Sequence, residues 1–430
     1  MADAPIQILG AGITGMSAAH HLGADYDLHE RLDHVGGHAI TREREGFRFD
    51  RTGHLLHVRD PEIRAWIERL IGDDCLLVHR KSRIFSHGVY TRYPYQANTF
   101  GLPSEIAYEC LMGYFAALAI EAHAPEPKTF EDFCLKYFGE GFSKHFMIPY
   151  NEKLWGLHPR HVTSQWCSRF VPRPKLEDVI AGAVGKNDVE LGYNATFLYP
   201  SSGIGALTRA MHGGLTGPVH LKHAPRRINW RNRRLLFGDG EVSYRALIST
   251  MPLDTLVATL LDPPAEVAKA GERLRVNRLY YLDLALDVPC GVDLHWVYVP
   301  EARYPFYRVG CYSNFSDKMA PPGKSNLYVE LASRNKPDMT ALMPEVAGHL
   351  VDMGIIQNPE QILFAELQLI DHAYVLYDHA YVGALETIRP FLDTEGIVSV
   401  GRYGGWNYSS MDDALVFGRD AARCARTLCP

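Results

Sequence analysis

The sequence predicts an α/β fold with a parallel sheet, a helical insertion and a second, strand-rich domain. A glycine-rich turn follows the first apolar run, and a buried strand and a helix close the chain. Between them lie a block of helical periodicity and a long strand-rich stretch. We therefore predict a nucleotide-binding domain from residues 1–80, 186–270 and 388–430, a helical domain over 101–185, and an antiparallel sheet domain from 81–100 and 271–387.

The first element is an apolar strand, residues 5–9, which leads into a G-x-G-x-x-G turn at Gly10, Gly12 and Gly15. Gly10 permits the tight turn, Gly12 lets the backbone approach a pyrophosphate, and Gly15 lets helix and strand pack closely. The following helix presents free N–H groups to the phosphates. An ordinary tight turn is the alternative interpretation.

An acidic residue supports the nucleotide interpretation, since Glu30 lies 20 residues after Gly10, where a carboxylate accepts hydrogen bonds from a ribose. A second glycine turn, Val35-Gly36-Gly37-His38, follows. In this region we predict cofactor contacts from Glu30, Arg31, Gly37 and His38.

The helical insertion and the later strands follow from periodicity. Apolar residues recur at helical spacing between Leu102 and Trp155, where Thr129 is placed to cap a helix. Strands are predicted between Gly182 and Pro252, and again in the stretches 279–287, 295–299, 306–312 and 327–331. A last parallel strand is predicted over 396–401 and a terminal helix over 413–428.

Composition excludes several classes of function. The 430 residues carry a net charge of -6, so a nucleic-acid partner is not expected. The eight cysteines form no C-x-x-C pair, and we predict free thiols, no metal site and a cytoplasmic location. No segment is apolar for long enough to predict a membrane span.

Five motifs, in chain order, resemble signatures of the flavin-dependent UDP-galactopyranose mutases: Tyr93–Gln96, Phe146–Gly156, Asn194–Phe197, Pro305–Arg308 and Gly401–Met411. The resemblance implies a glutathione-reductase-like FAD domain. The wider protoporphyrinogen and amine oxidase group shares the FAD-binding parts of this pattern but usually lacks its tyrosine, tryptophan and arginine set.

The resemblance also implies a reaction. In this family UDP-galactopyranose becomes UDP-galactofuranose without net redox change, and N5 of reduced FAD attacks the anomeric carbon to form a flavin–sugar adduct. The expected partner is a small nucleotide sugar. Family members form homo-oligomers, and the sequence leaves the oligomeric state of this chain open.

Site residues are carried over from the matching motifs. The diphosphate and flavin-facing set that we predict to be catalytic is Arg308, Arg169, His54, Tyr298, Tyr374 and Tyr408. The uridine and sugar pocket is predicted to comprise Tyr93, Gln96, Tyr150, Asn151, Trp155 and Asn194. Further flavin contacts are predicted from Arg83, Gly401, Arg402 and Met411. Arg173 competes with Arg169 and Tyr381 with Tyr374, and each aromatic residue could instead belong to the core.

Two departures leave the sugar open. Thr52 stands where relatives often carry glycine, and Ser410 stands where bacterial relatives carry aspartate. Because hydroxyl contacts discriminate strongly between sugars, a UDP sugar other than galactose stays an alternative. An oxidase or desaturase of the amine oxidase group, and a non-catalytic FAD or nucleotide-sugar sensor, are the competing hypotheses.

Overall fold

The computed structural model describes residues 4–167, 171–186 and 196–428, and its centre is a five-stranded sheet. Every pairing in this sheet is parallel. The two strands at its middle are buried along their whole length, as expected for strands covered on both faces. In spatial order the strands are Ile397–Ser399, Leu247–Ser249, Ile6–Leu9, Tyr26–His29 and Val219–His220. The α/β prediction is confirmed.

Two helices pack face to face on this sheet, Ile13–Leu22 from the start of the chain and Met411–Thr427 from its end. They approach closely because Gly418 lies at the crossing, where a Cβ would be 2.3 Å from the carbonyl oxygen of Thr14. The other helices of this part are Pro61–Ile71, Gly205–Gly213, Leu253–Thr259, Ala265–Glu272 and Tyr381–Thr394. Gly205–Gly213 lies where the sequence predicted strands, so that prediction is wrong there.

A seven-stranded sheet forms the second layer. Its neighbours run antiparallel except for Trp296–Tyr298 and Ser82–Ser86, which pair in parallel, so the predicted antiparallel sheet is mixed. Helix Met339–Asp352 packs on one face through buried Leu342, Val346 and Leu350. In spatial order the strands are Ile362–Val375, Val276–Leu286, Ser325–Leu331, Phe306–Cys311, Trp296–Tyr298, Ser82–Ser86 and Val89–Arg92.

The helical insertion contains Ser104–Ile120, Phe130–Phe142, Ile148–Trp155 and Leu176–Ala183, with a π-helical turn at Ser143–Met147. Thr129 caps the second helix as predicted: the Asp132 N–H donates to its hydroxyl at 3.1 Å. On the outer face of Ser104–Ile120, a stripe of exposed side chains is apolar: Tyr108, Met112, Phe115, Ala116, Ala119 and Ile120.

Smaller elements complete the described chain. The short sheets pair Thr41–Arg44 with Phe47–Asp50, Cys75–His79 with Thr196–Pro200, and Arg227–Asn229 with Arg234–Leu236 and Glu241–Ser243. The helical turns are Gly72–Asp74, Tyr95–Ala97, Pro159–His161, Tyr312–Asn314, Asp317–Met319, Pro359–Gln361 and Gly401–Gly404. Among the described residues, we find no helix with the length and apolar character to cross a membrane.

Candidate functional site

The glycine turn forms an open cradle at the start of helix Ile13–Leu22. Gly10 has a φ of 98°, and its N–H donates to the His29 carbonyl at 2.8 Å. Gly12 is the N-cap residue, and no described atom lies within 4 Å of where its Cβ would be. The first N–H groups of the helix therefore face free space beside Gly12, as an anion-binding site requires.

Glu30 holds the edge of this cradle. Its carboxylate accepts hydrogen bonds from the N–H of Ala11 at 2.7 Å and from the N–H of Leu32 at 2.8 Å. It is buried at the end of the second parallel strand. A carboxylate fixed in this way keeps further lone pairs for ligand hydroxyls, whereas the neighbouring Arg31 is exposed.

The second glycine turn closes the cradle from the other side. The Gly36 N–H donates to the Ala11 carbonyl at 2.8 Å, and a Cβ on Gly37 would lie 3.3 Å from the Cα of Gly12. Nδ1 of His38 is buried and finds no hydrogen-bond partner among the described residues. Burial, reinforced by nearby Arg51, lowers the pKa of His38 to about 3. The imidazole is therefore neutral, and its buried Nδ1 is left unsatisfied by the described residues.

These features fit a flavin dinucleotide. The open helix N-terminus suits a pyrophosphate, the Glu30 carboxylate suits a ribose, and the unsatisfied His38 nitrogen suits a further polar contact. The cofactor contacts predicted from Gly10, Gly12 and Gly15 thus converge on one cradle. Among the described residues, no group of histidine, cysteine and acidic side chains is placed to hold a metal ion.

Gly401 lies against the first helix of the cradle, and the residue that follows it belongs to a second group of side chains, around Arg402 and Tyr408. It has a φ of 91°, and a Cβ there would lie 2.9 Å from the Thr14 hydroxyl. The next residue, Arg402, donates to the Ser409 carbonyl at 2.6 Å, and its guanidinium lies 4.8 Å from the centre of the Tyr408 ring. Met411 begins the terminal helix directly after this segment.

Arg308 lies opposite Tyr298 on one neighbouring strand and opposite Glu330 on the other. Its Nε and Nη2 donate to the two carboxylate oxygens of Glu330 at 2.7 and 2.6 Å. Glu330 is fully buried, whereas 20% of the Arg308 side chain stays exposed. A bidentate pair of this kind fixes the plane of the guanidinium and leaves its third nitrogen for another acceptor.

Aromatic rings surround the two arginines. Tyr374 stacks on Tyr408 with ring centres 5.9 Å apart, and Trp155 contacts Tyr374 edge-on at 5.6 Å. Tyr298 contacts both Tyr93 and Tyr150, at 5.2 and 5.5 Å. Burial raises the pKa of Tyr298 and Tyr374, so both hydroxyls stay protonated and can donate hydrogen bonds.

Two side-chain amides that we predicted to line the uridine pocket use their NH₂ groups to donate hydrogen bonds to backbone carbonyls. Gln96 donates to the Pro172 carbonyl at 2.9 Å, and Asn151 donates to the Met147 carbonyl at 2.8 Å. The indole N–H of Trp155 is buried and has no partner among the described residues. Arg83 is half-buried on strand Ser82–Ser86 and donates to the Ser82 carbonyl at 3.0 Å.

Arg169 and Asn194 lie outside the described residues, so their roles stay predictions. Arg173, the competitor of Arg169, pairs with Glu121 and lies over the Tyr137 ring at 3.7 Å. The Tyr381 hydroxyl donates to the Trp406 carbonyl at 2.9 Å, while Tyr374 contacts the aromatic cluster.

His54 lies on a strained loop near both arginines. Thr52 has a φ of 68°, and its carbonyl lies 3.2 Å from His54 Nδ1. Burial lowers the pKa of His54 to about 4, and the charges of Arg402, Arg51 and Arg308 act in the same direction. The imidazole is therefore neutral at physiological pH.

We expect His54 to make folding less favourable in acid. Its folded pKa lies below the ordinary value of 6.5, so between pH 6.5 and 4 the unfolded chain binds the extra proton. In that window the unfolding free energy of the wild type should fall on acidification by up to about 1.4 kcal/mol per pH unit more than that of His54→Asn. Urea unfolding of both proteins at pH 7 and pH 5 gives the change in unfolding free energy between the two pH values. An equal change in the wild type and in His54→Asn would contradict the prediction.

Two buried carboxylates of the site were not predicted. Glu330 holds Arg308, and Asp50 anchors the loop that carries His54 by accepting from the Tyr199 hydroxyl at 2.7 Å. Burial raises the pKa of Asp50 to about 6. Glu330 could have been found from the sequence, because an acidic residue stands inside an apolar strand in Leu327-Tyr328-Val329-Glu330-Leu331.

Comparison with known proteins places this chain in a family. A model of the flavin containing amine oxidoreductases matches residues 13–426. A crystal structure of reduced UDP-galactopyranose mutase superposes with a TM-score of 0.93 at 25% identity, over 99% of this chain and 94% of that one. Cyclohexylamine oxidase from Brevibacterium oxydans gives a TM-score of 0.71 at 15% identity over 99% of both chains, a likeness of fold alone.

Among curated proteins, a "Probable UDP-galactopyranose mutase" from Klebsiella pneumoniae is 24% identical over 202 residues, 44% of this chain. The match spans about half the length of that relative, 50%. The resemblance to the UDP-galactopyranose mutases that the motifs predicted is confirmed. The family model covers nearly the whole sequence, and the chain belongs to the flavin-containing amine oxidoreductase family.

Proposed function

We propose that this protein is an FAD-dependent, UDP-galactopyranose mutase-like isomerase that interconverts the pyranose and furanose forms of a nucleotide sugar. The observation that carries the proposal is the cluster of Arg308, Arg402, Tyr298, Tyr374 and Tyr408 at the end of a dinucleotide cradle. The structural likeness to reduced UDP-galactopyranose mutase supports it.

The chemistry asks the protein to bind a diphosphate and to stabilise it as it leaves the sugar. Guanidinium groups are suited to phosphate oxygens, and they act strongly where water is excluded. The Arg308 guanidinium is held by two hydrogen bonds to Glu330, which limits the reorganisation needed for catalysis. The protonated tyrosines around it add neutral donors without a second charge.

Reduced FAD would supply the nucleophile, through N5, for the anomeric carbon of the sugar. The residues that would hold it are those of the cradle and the Gly401 segment, with His54 as a neutral neighbour. Trp155, Tyr93 and Tyr150 would form the wall against uracil, with Gln96 and Asn151 as polar contacts, and Asn194 would contact the sugar or the flap.

The remaining assignments are part of the same proposal. The three domains are those predicted from the sequence, and the helical insertion is where copies would meet in a homo-oligomer. The seven cysteines that the structure describes are free thiols, which supports a reducing, cytoplasmic location.

An oxidase acting on an amine is the second candidate, because the matching family model is that of amine oxidoreductases. Such an enzyme would transfer hydride from substrate to oxidised FAD. The charged and hydroxyl-rich cluster around Arg308 favours a diphosphate over an apolar amine.

One experiment separates the candidates. Dithionite-reduced protein is incubated with UDP-galactose, UDP-galactofuranose and a panel of other UDP sugars, and the products are separated. Conversion that requires the reduced flavin is expected, and it would also exclude a non-catalytic sensor. No conversion of any nucleotide sugar, together with peroxide release from an amine, would overturn the proposal in favour of the oxidase.

A further inference from the structure

One side chain, Asn277, joins the helix that carries Trp155 to the strand that carries Tyr374. Its NH₂ group donates to the Leu154 carbonyl at 2.7 Å, and its amide oxygen accepts from the Tyr374 N–H at 2.8 Å. Leu154 lies in the last turn of helix Ile148–Trp155, where backbone carbonyls have no partner within the helix. A single half-buried amide thus satisfies backbone groups of two elements that are distant in the sequence.

The Tyr374 N–H gains this partner at an irregularity of the second sheet. Asn277 pairs with Tyr374 across the two strands, whereas the next pair is Leu279 with Ile370. Three residues of strand Ile362–Val375 therefore lie between pairs that are separated by one residue on the neighbouring strand. A bulge of this kind interrupts the backbone ladder and changes the direction of the side chains beside it. The Asn277 side chain fixes the backbone of Tyr374 where the ladder is interrupted.

The residues joined in this way are neighbours in the candidate site. The Tyr374 ring contacts Trp155 edge-on at 5.6 Å, and its centre lies 5.2 Å from the Arg402 guanidinium. The carbonyl of Ala373, in the same bulge, accepts from Arg402 Nη2 at 3.4 Å. A shift of the bulge would therefore move Tyr374 relative to both the indole and the guanidinium.

The same helix has a second attachment, to the segment that follows Tyr298. Lys153 Nζ donates to the carbonyls of Val299 and Glu301, at 2.9 Å each. The helix is therefore held between the segments that carry Tyr298 and Tyr374, and Asn277 supplies the attachment on the Tyr374 side.

We propose that Asn277 is a positioning residue of the nucleotide site, which keeps the wall against uracil and the Tyr374 hydroxyl at a fixed separation. This inference rests on the proposed function, which assigns the base to Trp155 and the diphosphate to the tyrosine cluster. When two contacts are held in register, one ligand can make both at little extra ordering cost. Loss of Asn277 should therefore weaken UDP, which spans both contacts, more than uridine, which reaches only one.

The test compares the full-length, dithionite-reduced holoprotein with Asn277→Leu, which keeps the size of the side chain and removes both hydrogen bonds. Ligand-observed NMR titrations give the Kd of UDP and of uridine for each protein. We expect UDP to bind at least about fivefold more weakly to the variant, and the Kd of uridine to change by less than about twofold.

Asn314→Leu is the matched control. Asn314 donates to the carbonyls of Val292 and Leu294 at 2.9 and 2.7 Å, in a part of the chain that carries no residue of the candidate site. This variant also loses two hydrogen bonds to the backbone, and we expect its Kd for UDP to stay within about twofold of the wild-type value.

A double-mutant cycle tests whether Asn277 acts through Tyr374. Tyr374→Phe removes one hydroxyl, and alone it should weaken UDP binding by about three- to tenfold. In the Asn277→Leu background the same change should weaken binding by less than about twofold, because the hydroxyl is no longer held at the phosphate. A role of Asn277 in stability alone would leave the two losses additive.

The outcomes separate this inference from the proposed function. Equal UDP affinity in the wild type and Asn277→Leu, equal losses for UDP and uridine, or additive losses in the cycle would overturn the inference alone. A wild type that binds neither UDP nor a nucleotide sugar would overturn the proposed function and the inference together. If Asn277→Leu fails to fold, Asn277→Asp provides the same comparison, because it keeps the acceptor for Tyr374 and loses the donor for Leu154.

Discussion

Arg308→Lys is expected to lower turnover of the nucleotide sugar by roughly a hundredfold or more, with a smaller change in KM. The guanidinium uses two nitrogens for Glu330, and its planar fork leaves a third for phosphate. A lysine ammonium is a point charge on a flexible stem, so it cannot hold both partners in this geometry. Steady-state kinetics with reduced protein measure the effect.

Lysine is preferred to alanine here because it keeps a positive charge beside Glu330. An unpaired buried carboxylate would cost about 3–5 kcal/mol and would mix unfolding with loss of chemistry. Arg42→Lys is the matched control. Arg42 pairs with Asp283, a buried carboxyl group on the same seven-stranded sheet as Arg308, and this pair lies outside the tyrosine cluster. We expect this control to retain turnover within about twofold. Equal losses in the two variants would contradict the assigned role of Arg308.

Gly12→Ala is expected to remove the flavin while leaving the fold intact. The residue has a φ of -76°, which alanine adopts without strain, and no described atom lies near the added methyl group. That methyl group would occupy the space assigned to the pyrophosphate. We expect FAD affinity to fall at least about tenfold and the unfolding free energy of the apoprotein to change by less than about 1 kcal/mol.

Gly15→Ala should behave in the opposite way, because its Cβ would lie 1.9 Å from the Gly10 carbonyl oxygen. We expect a loss of stability of about 1–3 kcal/mol or more, even without flavin. Gly348→Ala, in an open position of helix Met339–Asp352, is the control and should retain full flavin content. The flavin-to-protein absorbance ratio and urea unfolding give both readouts. A Gly12→Ala protein that purifies with wild-type flavin would refute the assignment of the cradle.

The parts of the fold that were predicted correctly depend on local signals. The glycine turn between a strand and a helix and the helix cap at Thr129 are both determined by residues that are close together in the sequence. Helices Met339–Asp352 and Tyr381–Thr394 were not predicted, because Pro344 and Pro390 lie inside them and proline ordinarily interrupts a helix. Their buried faces stabilise them in the folded protein, and a single sequence does not report that packing.

The candidate site shows the same division. The motifs identified Arg308 and Tyr298 one at a time, but strand register decides that the two lie opposite each other. Register also brings Glu330 to Arg308 from another strand, 22 residues later in the chain. Long strand Ile362–Val375, which carries Tyr374, was not assigned, because apolar and polar residues do not alternate along the whole of its sequence. Pairings between distant segments therefore account for most of what was not predicted.

Helix Ser104–Ile120 has one side buried in the protein core and an opposite side that is exposed and apolar. Its inner side, with Cys110, Tyr114 and Ala117, is buried, whereas Tyr108 and Met112 on its outer side are in contact with solvent. Polar replacements on the outer side would leave the packing beneath intact while weakening a homo-oligomer that forms through this insertion. The state of association could therefore be altered without changing the residues of the candidate site.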